Sequence, residues 1–312
     1  MNAGSPGYQG WKHGLLLFLL SSLFAGCSYR FYEAPGSYPL PGSLKKQLVL
    51  SDSIMETSGL LVQDGLIWSF NDSGGEPVLY ACEMNNGQLH QRLLLQKAQN
   101  HDWESIAANE CYVFVADVGN NYQRRDTLDI YMFPRSALAR EGGDGAISML
   151  APEGVIRLHY DEPRRQNASG LSSHDCEALL ACGDSLYLFS KDWVKQGSSV
   201  YSLPIKPGLY HLKRRTRYEV DFLVTGADIN REKQEVVLLG YKHYMPVVAV
   251  YRYGAHPYQI EAGGRARVYP LKLGRQVEGI AYDAEGRCYV SAERAFHKQQ
   301  LFRLMLRSAG RH

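Results

Sequence analysis

The sequence predicts an all-β protein folded as a β-propeller, and three observations support this prediction. Residues 101–106 (HDWESI) return almost intact as residues 174–179 (HDCEAL). Weaker copies at 56–60, 224–227 and 276–280 extend the repeat to five units with a period of roughly fifty residues, which is typical of propeller blades. Within the units, short hydrophobic runs alternate with turn residues, as β-strands do. The 21 tyrosines also favour β-structure over a helical bundle.

The composition allows a folded core and gives no indication of a nucleic-acid partner. Hydrophobic residues make up 45% of the 312 residues, and the formal net charge is +2. That charge shows neither the basic excess of a nucleic-acid-binding protein nor an acidic tail. Propellers of this length commonly form a single unit, so residues 44–312 are expected to be one domain.

The first 27 residues are predicted to be a signal peptide rather than part of the fold. Residues 12–13 (KH) precede an apolar run at 14–20 (GLLLFLL), which is too short for a membrane-spanning helix. The following residues 21–27 (SSLFAGC) resemble the lipobox of bacterial lipoproteins, with Phe24 where that family usually has leucine. An ordinary secretory signal or a short anchor is the alternative.

The lipoprotein resemblance implies a membrane anchor and a location. In that family, cleavage before the cysteine leaves the thiol, here that of Cys27, to carry diacylglycerol and the new amine to carry an acyl chain such as palmitate. Two or more chains hold a protein at a membrane where one barely does. By resemblance to the family's sorting rule, Ser28 indicates the outer membrane of a bacterial envelope, facing the periplasm. Residues 28–43, rich in Tyr, Pro, Gly and Ser, are predicted to be a tether.

The strands of the blades are predicted from the hydrophobic runs and the turns between them. The first four units each provide four strands, at 58–62, 66–71, 78–83 and 92–96; 104–108, 112–117, 128–133 and 155–160; 177–181, 185–191, 199–205 and 217–223; and 225–229, 235–241, 247–253 and 267–271. The fifth unit has only three, at 278–282, 288–292 and 300–306. Residues 46–50 precede the first blade without a partner, so they are predicted to complete the fifth blade and close the ring.

The long second interval of the repeat leaves six blades as an alternative to five. Its extra residues, 135–152 and 161–173, are rich in Gly, Pro, Arg and Ser, and they are predicted to be loops. We therefore expect five four-stranded blades.

Neither the cysteines nor the histidines have the spacing of a transition-metal site. Five cysteines follow Cys27, an odd number, so at least one is expected to stay free or to pair between chains. Most of the five are expected to be small, buried apolar residues.

The motif at the start of each inner strand, Glu followed by Ser, Ala or Gly and then Ile or Leu, resembles a loose group of bacterial propellers. Residues 71–75 (NDSGG) and 225–228 (TGAD) contribute to this resemblance, which covers residues 44–306. The group includes the SdiA-regulated, esterase-like phytase and TolB-like proteins, with gluconolactonase and paraoxonase propellers more distant. Its members bind calcium, hydrolyse esters or lactones, or have no known activity, so the resemblance implies a fold more strongly than a function.

Carboxylates recur at the start of the innermost strands, and propeller geometry should bring them together. The innermost strand begins on the face where its antiparallel neighbour ends, so both sets of residues converge at one end of the channel. Strand parity places Asp102 with Glu104, and Asp175 with Glu177, on one side of their strands. The predicted metal ligands are Glu104, Glu177, Glu278, Asp102, Asp175 and Glu56. The predicted channel rim is Asp72, Asp117, Asp192 and Glu293.

Clustered carboxylates repel one another and raise one another's pKa unless a cation or a basic group lies among them. Carboxylate, hydroxyl and carbonyl oxygens suit Ca²⁺, which takes six to eight oxygen ligands, better than Mg²⁺. The alternative is a purely structural role, in which these acids accept hydrogen bonds from backbone amides of the neighbouring blade.

Two functions follow from the acidic channel. The first is a cell-envelope lipoprotein whose propeller is a binding or scaffold module, with calcium in the channel and a protein or small-molecule ligand at the propeller face. The second is a calcium-dependent hydrolase of esters, lactones or phosphoesters, in which His101 or His174 acts as the base beside the metal. Recurrence of the histidine in two blades also fits a structural turn. No catalytic residue can be assigned from the sequence.

Overall fold

A computed structural model describes residues 42–139, 142–163, 165–259 and 266–306 of the chain. The predicted signal peptide, the lipidation site Cys27 and the tether up to residue 41 lie outside these ranges. Within them are 22 strands: β1 (Gly42–Val49), β2 (Thr57–Gln63), β3 (Leu66–Asn71), β4 (Val78–Glu83), β5 (Leu89–Leu95), β6 (Trp103–Ala108), β7 (Tyr112–Asp117), β8 (Leu128–Pro134), β9 (Ala146–Leu150), β10 (Gly154–Tyr160), β11 (Asp175–Cys182), β12 (Ser185–Lys191), β13 (Ser198–Pro204), β14 (Gly208–Leu212), β15 (Arg214–Tyr218), β16 (Leu223–Asn230), β17 (Glu235–Lys242), β18 (Met245–Arg252), β19 (Arg267–Pro270), β20 (Val277–Tyr282), β21 (Cys288–Ala292) and β22 (Gln300–Leu306). A short 3₁₀ helix at Arg135–Leu138 is the helix of this described part. None of its residues forms a helix with the length and apolar character needed to cross a bilayer.

The strands form five sheets arranged as a ring, which confirms the predicted five-bladed propeller. Each blade is built on four antiparallel strands: β2–β5, then β6, β7, β8 and β10, then β11, β12, β13 and β15, then β16–β19, and finally β20, β21, β22 and β1. The innermost strands β2, β6, β11, β16 and β20 contact one another in succession, and β20 contacts β2 again. The ring is thereby closed around a central channel.

The ring is closed by β1, the first strand of the described residues, as predicted. Strand β1 pairs with β22 in antiparallel register from Gly42 opposite Leu306 to Val49 opposite Gln300. The strand begins before the predicted residue 46 and includes the last two residues of the predicted tether. A seam between blades 5 and 1 is reinforced by the buried Thr57 hydroxyl, which lies 2.7 Å from the Ser69 hydroxyl and 3.2 Å from that of Ser291.

The structure contains two outer strands that were not predicted from the sequence, β9 and β14. One of them lies in a predicted loop, so that loop prediction is wrong in part. Strand β9 pairs in parallel with β5, although it lies in the stretch 135–152 that was predicted to be a loop. Strand β14 pairs in parallel with β10 of the second blade, although its neighbours along the chain belong to the third. Each addition joins one blade to the next. The fourth strand of the third blade lies at Arg214–Tyr218 rather than at the predicted 217–223.

The core lies between the blades, where the inner faces of neighbouring sheets meet. The Trp103 side chain of the repeated motif is fully buried and packs edge-to-face on Phe70 of the previous blade, with ring centroids 5.3 Å apart. Large apolar side chains such as these dominate the burial of surface between layers. The five cysteines of the described residues are all free thiols, and three of them, Cys82, Cys176 and Cys288, are buried.

Every innermost strand carries a β-bulge where it begins. Glu104 falls between Trp103, which pairs with Asp117, and Ser105, which pairs with Ala116, so Glu104 has no partner across the ladder. Glu177 and Thr225 occupy the same position in the next two blades. The ladders of β2 and β20 are irregular at the corresponding residues, Ser58–Leu61 and Val277–Ile280. A bulge redirects its side chain, and here it turns the ring residues toward the channel.

Candidate cation site at the inner ring

Asp102 and Glu104 approach each other against the backbone of the neighbouring loop. A Cβ atom placed on Gly119 would lie 2.3 Å from both the Asp102 Oδ2 and Glu104 Oε1 atoms. Because a side chain at position 119 would collide with both carboxylates, the loop after β7 needs glycine there. Strand parity had predicted this pair on one side of the strand, and the bulge keeps the two carboxylates together.

Asp72 at the end of β3 completes a cluster of three carboxylates across the first two blades. One oxygen from each of Asp72, Asp102 and Glu104 lies within 4.8 Å of the other two. The Asp72 Oδ1 atom is buried and has no hydrogen-bond partner. No lysine, arginine or histidine of the described ranges forms an ion pair with any of the three. A buried, unpaired carboxylate oxygen is costly unless a ligand satisfies it.

The electrostatics of this cluster favour a bound cation. Burial raises the pKa of Asp72 to about 8, and the negative charges of Glu278 and Asp102 add to the shift. Burial, with repulsion from Asp175, raises the pKa of Asp102 to about 7. The pKa of Glu104 is raised well above its ordinary value by burial and then by Glu177. In the absence of a metal ion, these groups therefore keep their protons to higher pH than an ordinary carboxyl group does.

Glu177 is neutralised by a buried lysine that the sequence analysis did not identify. The Lys191 Nζ atom, at the end of β12, lies 2.6 Å from Glu177 Oε1 and 4.8 Å from the centroid of the Trp193 ring. Burial alone would lower the pKa of Lys191, but Glu177, Asp175 and Glu278 together raise it. Lys191 is thus an internal cation of the channel. Its position directly before the predicted rim residue Asp192 was the available signal.

Asp175 is fully buried and acts as a strut between blades. Its Oδ1 atom accepts a hydrogen bond of 2.9 Å from the Asn120 backbone N–H, and its Oδ2 atom accepts one of 2.9 Å from Trp193 Nε1–H. Since both oxygens are occupied, Asp175 fits the structural alternative better than the predicted role of metal ligand.

In the fifth blade, the side-chain amide of one glutamine donates hydrogen bonds to two carboxylates. Gln276 Nε2 donates to Glu278 Oε1 at 3.0 Å and to Glu293 Oε1 at 3.2 Å. Burial, and then the charge of Glu278, raises the pKa of Glu293 well above its ordinary value. Glu56 is exposed at the rim nearby, where its backbone N–H donates to the Asn71 side chain at 3.1 Å.

The other two predicted rim residues are buried and paired with arginine. Asp117 accepts hydrogen bonds from Arg125 at 2.8 Å and from the Asp102 backbone N–H at 3.0 Å. Asp192 accepts a hydrogen bond of 2.5 Å from Arg217 and caps the turn that follows it through the Val194 and Lys195 amides. These carboxylates hold the ends of strands, and neither is available to the channel.

The two candidate histidines differ in their surroundings. The side chain of His101 is 56% exposed, and its Nδ1 atom lies 2.9 Å from Asp117 Oδ2. His174 is buried, stacks on Tyr160 with ring centroids 4.6 Å apart, and lies 3.0 Å through Nδ1 from Gln123 Nε2. Burial lowers the pKa of His174.

His174 also borders a small cavity of about 40 Å³ on the third blade. Its lining includes Glu162, Arg165, Lys195, Arg214 and Arg217. The contacts of both histidine rings are thus with residues outside the three-carboxylate cluster.

This chain resembles known proteins in its fold and in nothing else that the comparisons detect. No protein-family model and no curated sequence matches this chain. Among solved structures, it is similar to regucalcin, a calcium-binding protein from Agrobacterium tumefaciens, at 13% identity over 84% of this chain and 94% of that one, with a TM-score of 0.42.

Two further structures are similar to the same extent. The PQQ-bound aldose sugar dehydrogenase from Streptomyces coelicolor matches at 10% identity over 85% and 98% of the two chains, with a TM-score of 0.42. A nidogen/laminin complex matches at 11% identity over 80% and 85%, with a TM-score of 0.42. At these scores the matches say nothing about ligand or activity, and the propeller assignment comes from the sheets of this chain.

Proposed function

We propose that the protein is a cell-envelope lipoprotein whose propeller is a binding module that holds Ca²⁺ between Asp72, Asp102 and Glu104. The observation that supports this most strongly is the buried, unpartnered Asp72 Oδ1 atom beside two further carboxylates. A second ligand would be a protein or a small molecule at the propeller face. Nucleic acid is not expected, because the formal net charge is only +2.

The arrangement of charge favours one side of the channel for the metal. Lys191 already neutralises Glu177, and Gln276 bridges Glu278 to Glu293. Within the described part of the chain, Asp72, Asp102 and Glu104 have no lysine or side-chain amide paired with them in this way, and together they carry three negative charges when ionised. Calcium accepts irregular sets of six to eight oxygens including water, whereas Mg²⁺ demands a near-ideal octahedron, so calcium suits this cluster better.

Direct titration with CaCl₂ tests the proposal. Calorimetry on protein stripped of metal by a chelator should show calcium binding that releases protons, since the pKa values of Asp72 and Asp102 are raised to about 8 and about 7. The release is expected to be larger at pH 6.5 than at pH 9. If calcium binding is absent at both pH values, the calcium assignment is overturned.

A calcium-dependent hydrolase of esters, lactones or phosphoesters is the alternative function, and the observation in its favour is the cavity beside His174. If His174 Nδ1 accepts the hydrogen bond from Gln123, the ring proton lies on Nε2, 3.8 Å from Glu162. A panel of these substrates with calcium present would support the hydrolase if turnover appears and is lost in His174→Ala. The ring of His101 bonds to Asp117 and that of His174 to Gln123, and both partners lie outside the three-carboxylate cluster, so we expect no turnover.

The lipid anchor is proposed from the resemblance at residues 21–27 and has its own test. In a Gram-negative bacterium, radioactive palmitate should label the wild-type protein, which should fractionate with the outer membrane. Cys27→Ala should lose the label and appear in the soluble periplasmic fraction if the signal is still processed, or stay uncleaved at the inner membrane if it is not. A Cys111→Ala control should behave as wild type. Equal labelling of Cys27→Ala and wild type would exclude lipidation at Cys27.

A further inference from the structure

A cluster of two histidines and one aspartate lies on the outer edge of the second blade, away from the channel residues. His159 is on β10, His211 is on β14, and Asp161 follows β10 directly. One potential ligand atom from each of the three lies within 4.8 Å of the other two. The histidines are 52 positions apart in sequence, and they meet only because β14 crosses to the second blade and places His159 in register with His211.

The pleat of the two strands points both histidines to the same face. On β10 the side chains of Ile156 and Leu158 are buried, so the alternate position 159 faces outward. Parallel neighbours lie about 4.8 Å apart across a sheet, so residues in register stand side by side. The rings of His159 and His211 accordingly have centroids 5.2 Å apart.

The distances fit a shared metal ion after small side-chain movements. His211 Nδ1 lies 2.7 Å and His159 Nδ1 lies 3.8 Å from the same atom, Asp161 Oδ1. Three tetrahedral ligands at about 2.1 Å from a zinc ion are separated by about 3.4 Å from one another, which falls between these two values. The side chains are 41%, 57% and 38% exposed for His159, His211 and Asp161, so water can complete the coordination.

His159 distinguishes this cluster from an ordinary hydrogen-bonded pair. The contact of His211 with Asp161 needs no third group. The His159 Nδ1 atom, however, is buried and has no hydrogen-bond partner while it faces the same carboxylate. An unsatisfied buried nitrogen is costly, and a metal ion would satisfy it.

We propose that His159, Asp161 and His211 bind a divalent transition-metal ion of the zinc class. Two imidazoles and one carboxylate form a ligand set that suits ions of this class, whereas calcium takes oxygen ligands. The ion would bridge β10 and β14, so it would fasten the added fifth strand to the second blade. This site is independent of the calcium site in the channel.

The test uses Co²⁺ as a spectroscopic probe on the full chain without a polyhistidine tag. Wild type and a matched control, His256→Ala, should both show the visible absorption of protein-bound Co²⁺, which Zn²⁺ should abolish and Ca²⁺ should leave unchanged. His256 is exposed and lies outside the cluster. His159→Ala and His211→Ala should each weaken binding by at least about tenfold, the least that loss of even an outer-shell partner usually costs.

A thermal melt of each variant without metal checks that it is folded. His159→Gln and Asp161→Asn are milder changes, and they should also weaken Co²⁺ binding. A second readout is hydrogen exchange, since Zn²⁺ should slow the amides of β14 in wild type and not in His159→Ala. Binding of Co²⁺ by His159→Ala with wild-type affinity would overturn the proposal. So would a wild-type protein that does not bind Co²⁺ at all.

Discussion

Saturating calcium is expected to raise the free energy of unfolding by about 2.7 kcal/mol at a hundredfold excess over its Kd, provided that the unfolded chain does not bind the ion. The gain arises because Asp72, Asp102 and Glu104 converge only in the folded ring. Thermal and denaturant melts with CaCl₂ and with chelator at matched ionic strength would measure it. An equal concentration of MgCl₂ should give a smaller gain.

Replacing two of the three ligands separates a metal site from a structural one. Asp102→Asn combined with Glu104→Gln should abolish the calcium response and should stabilise the metal-free protein above pH 8, because repulsion within the cluster is relieved. Glu232→Gln, at an exposed position, is the matched control and should keep the response. If calcium has no effect on wild type and the double variant is strongly destabilised, the carboxylates are struts and the calcium proposal fails.

The same carboxylates determine how the stability of the metal-free protein depends on pH. The folded-state pKa values of Asp72 and Asp102, about 8 and about 7, lie above the ordinary value of 3.8. Groups whose pKa is raised by folding contribute stability that is fully present below the unfolded pKa and is lost as pH rises through the folded pKa. Metal-free stability should therefore fall between about pH 4 and about pH 8 from these two groups, and the gain from calcium should be largest above that range.

Removal of the internal cation is the second large effect. Lys191→Met is expected to cost about 3–5 kcal/mol at alkaline pH, because it leaves Glu177 buried and unpaired beside Asp175 and Glu278. The loss should shrink as the pH is lowered, since Glu177 can then take up a proton. Urea unfolding across a pH series would show both trends.

A double-mutant cycle provides the control for Lys191. Replacing both members of a buried ion pair with neutral groups is often tolerated, so Lys191→Met with Glu177→Gln should recover part of the stability lost by the lysine substitution alone. A Lys191→Met variant as stable as wild type at alkaline pH would show that the 2.6 Å contact with Glu177 contributes nothing to the fold.

The sequence predicted the ring of inner strands well because each blade repeats a local pattern. The copies at residues 101–106 and 174–179 place a glutamate at a bulge in the second and third blades, and the predicted bounds of β21 and β22 agree with the structure. Outer strands lack such a pattern. Strand β15 (RRTRY) has one apolar residue, the buried Tyr218, so no apolar alternation marks it.

Partners distant in sequence were the part of the site that could not be predicted. Lys191 reads as a polar residue at the end of a strand until Glu177 is placed 2.6 Å from it. His159 and His211 have no motif spacing, because the parallel pairing of β14 with β10 alone brings them together. The arginine partner of Asp192, Arg217, lies 25 residues away in β15, so this carboxylate was taken for a free rim residue. Arg125, the partner of Asp117, is only eight residues away, but it stands in a loop without a strand pattern to place it.

The pairing of β1 with β22 has a kinetic consequence for biogenesis. These strands are the first and last of the described chain, so their contact has the longest sequence separation in the propeller. Topologies dominated by such distant contacts fold slowly, because the entropy of closing the loop is lost before the contact is gained. During synthesis, β1 emerges long before its partner, and its unpaired edge must be protected from other strands until the final blade arrives. Completion of the ring is therefore expected to be the late, chaperone-sensitive step of maturation.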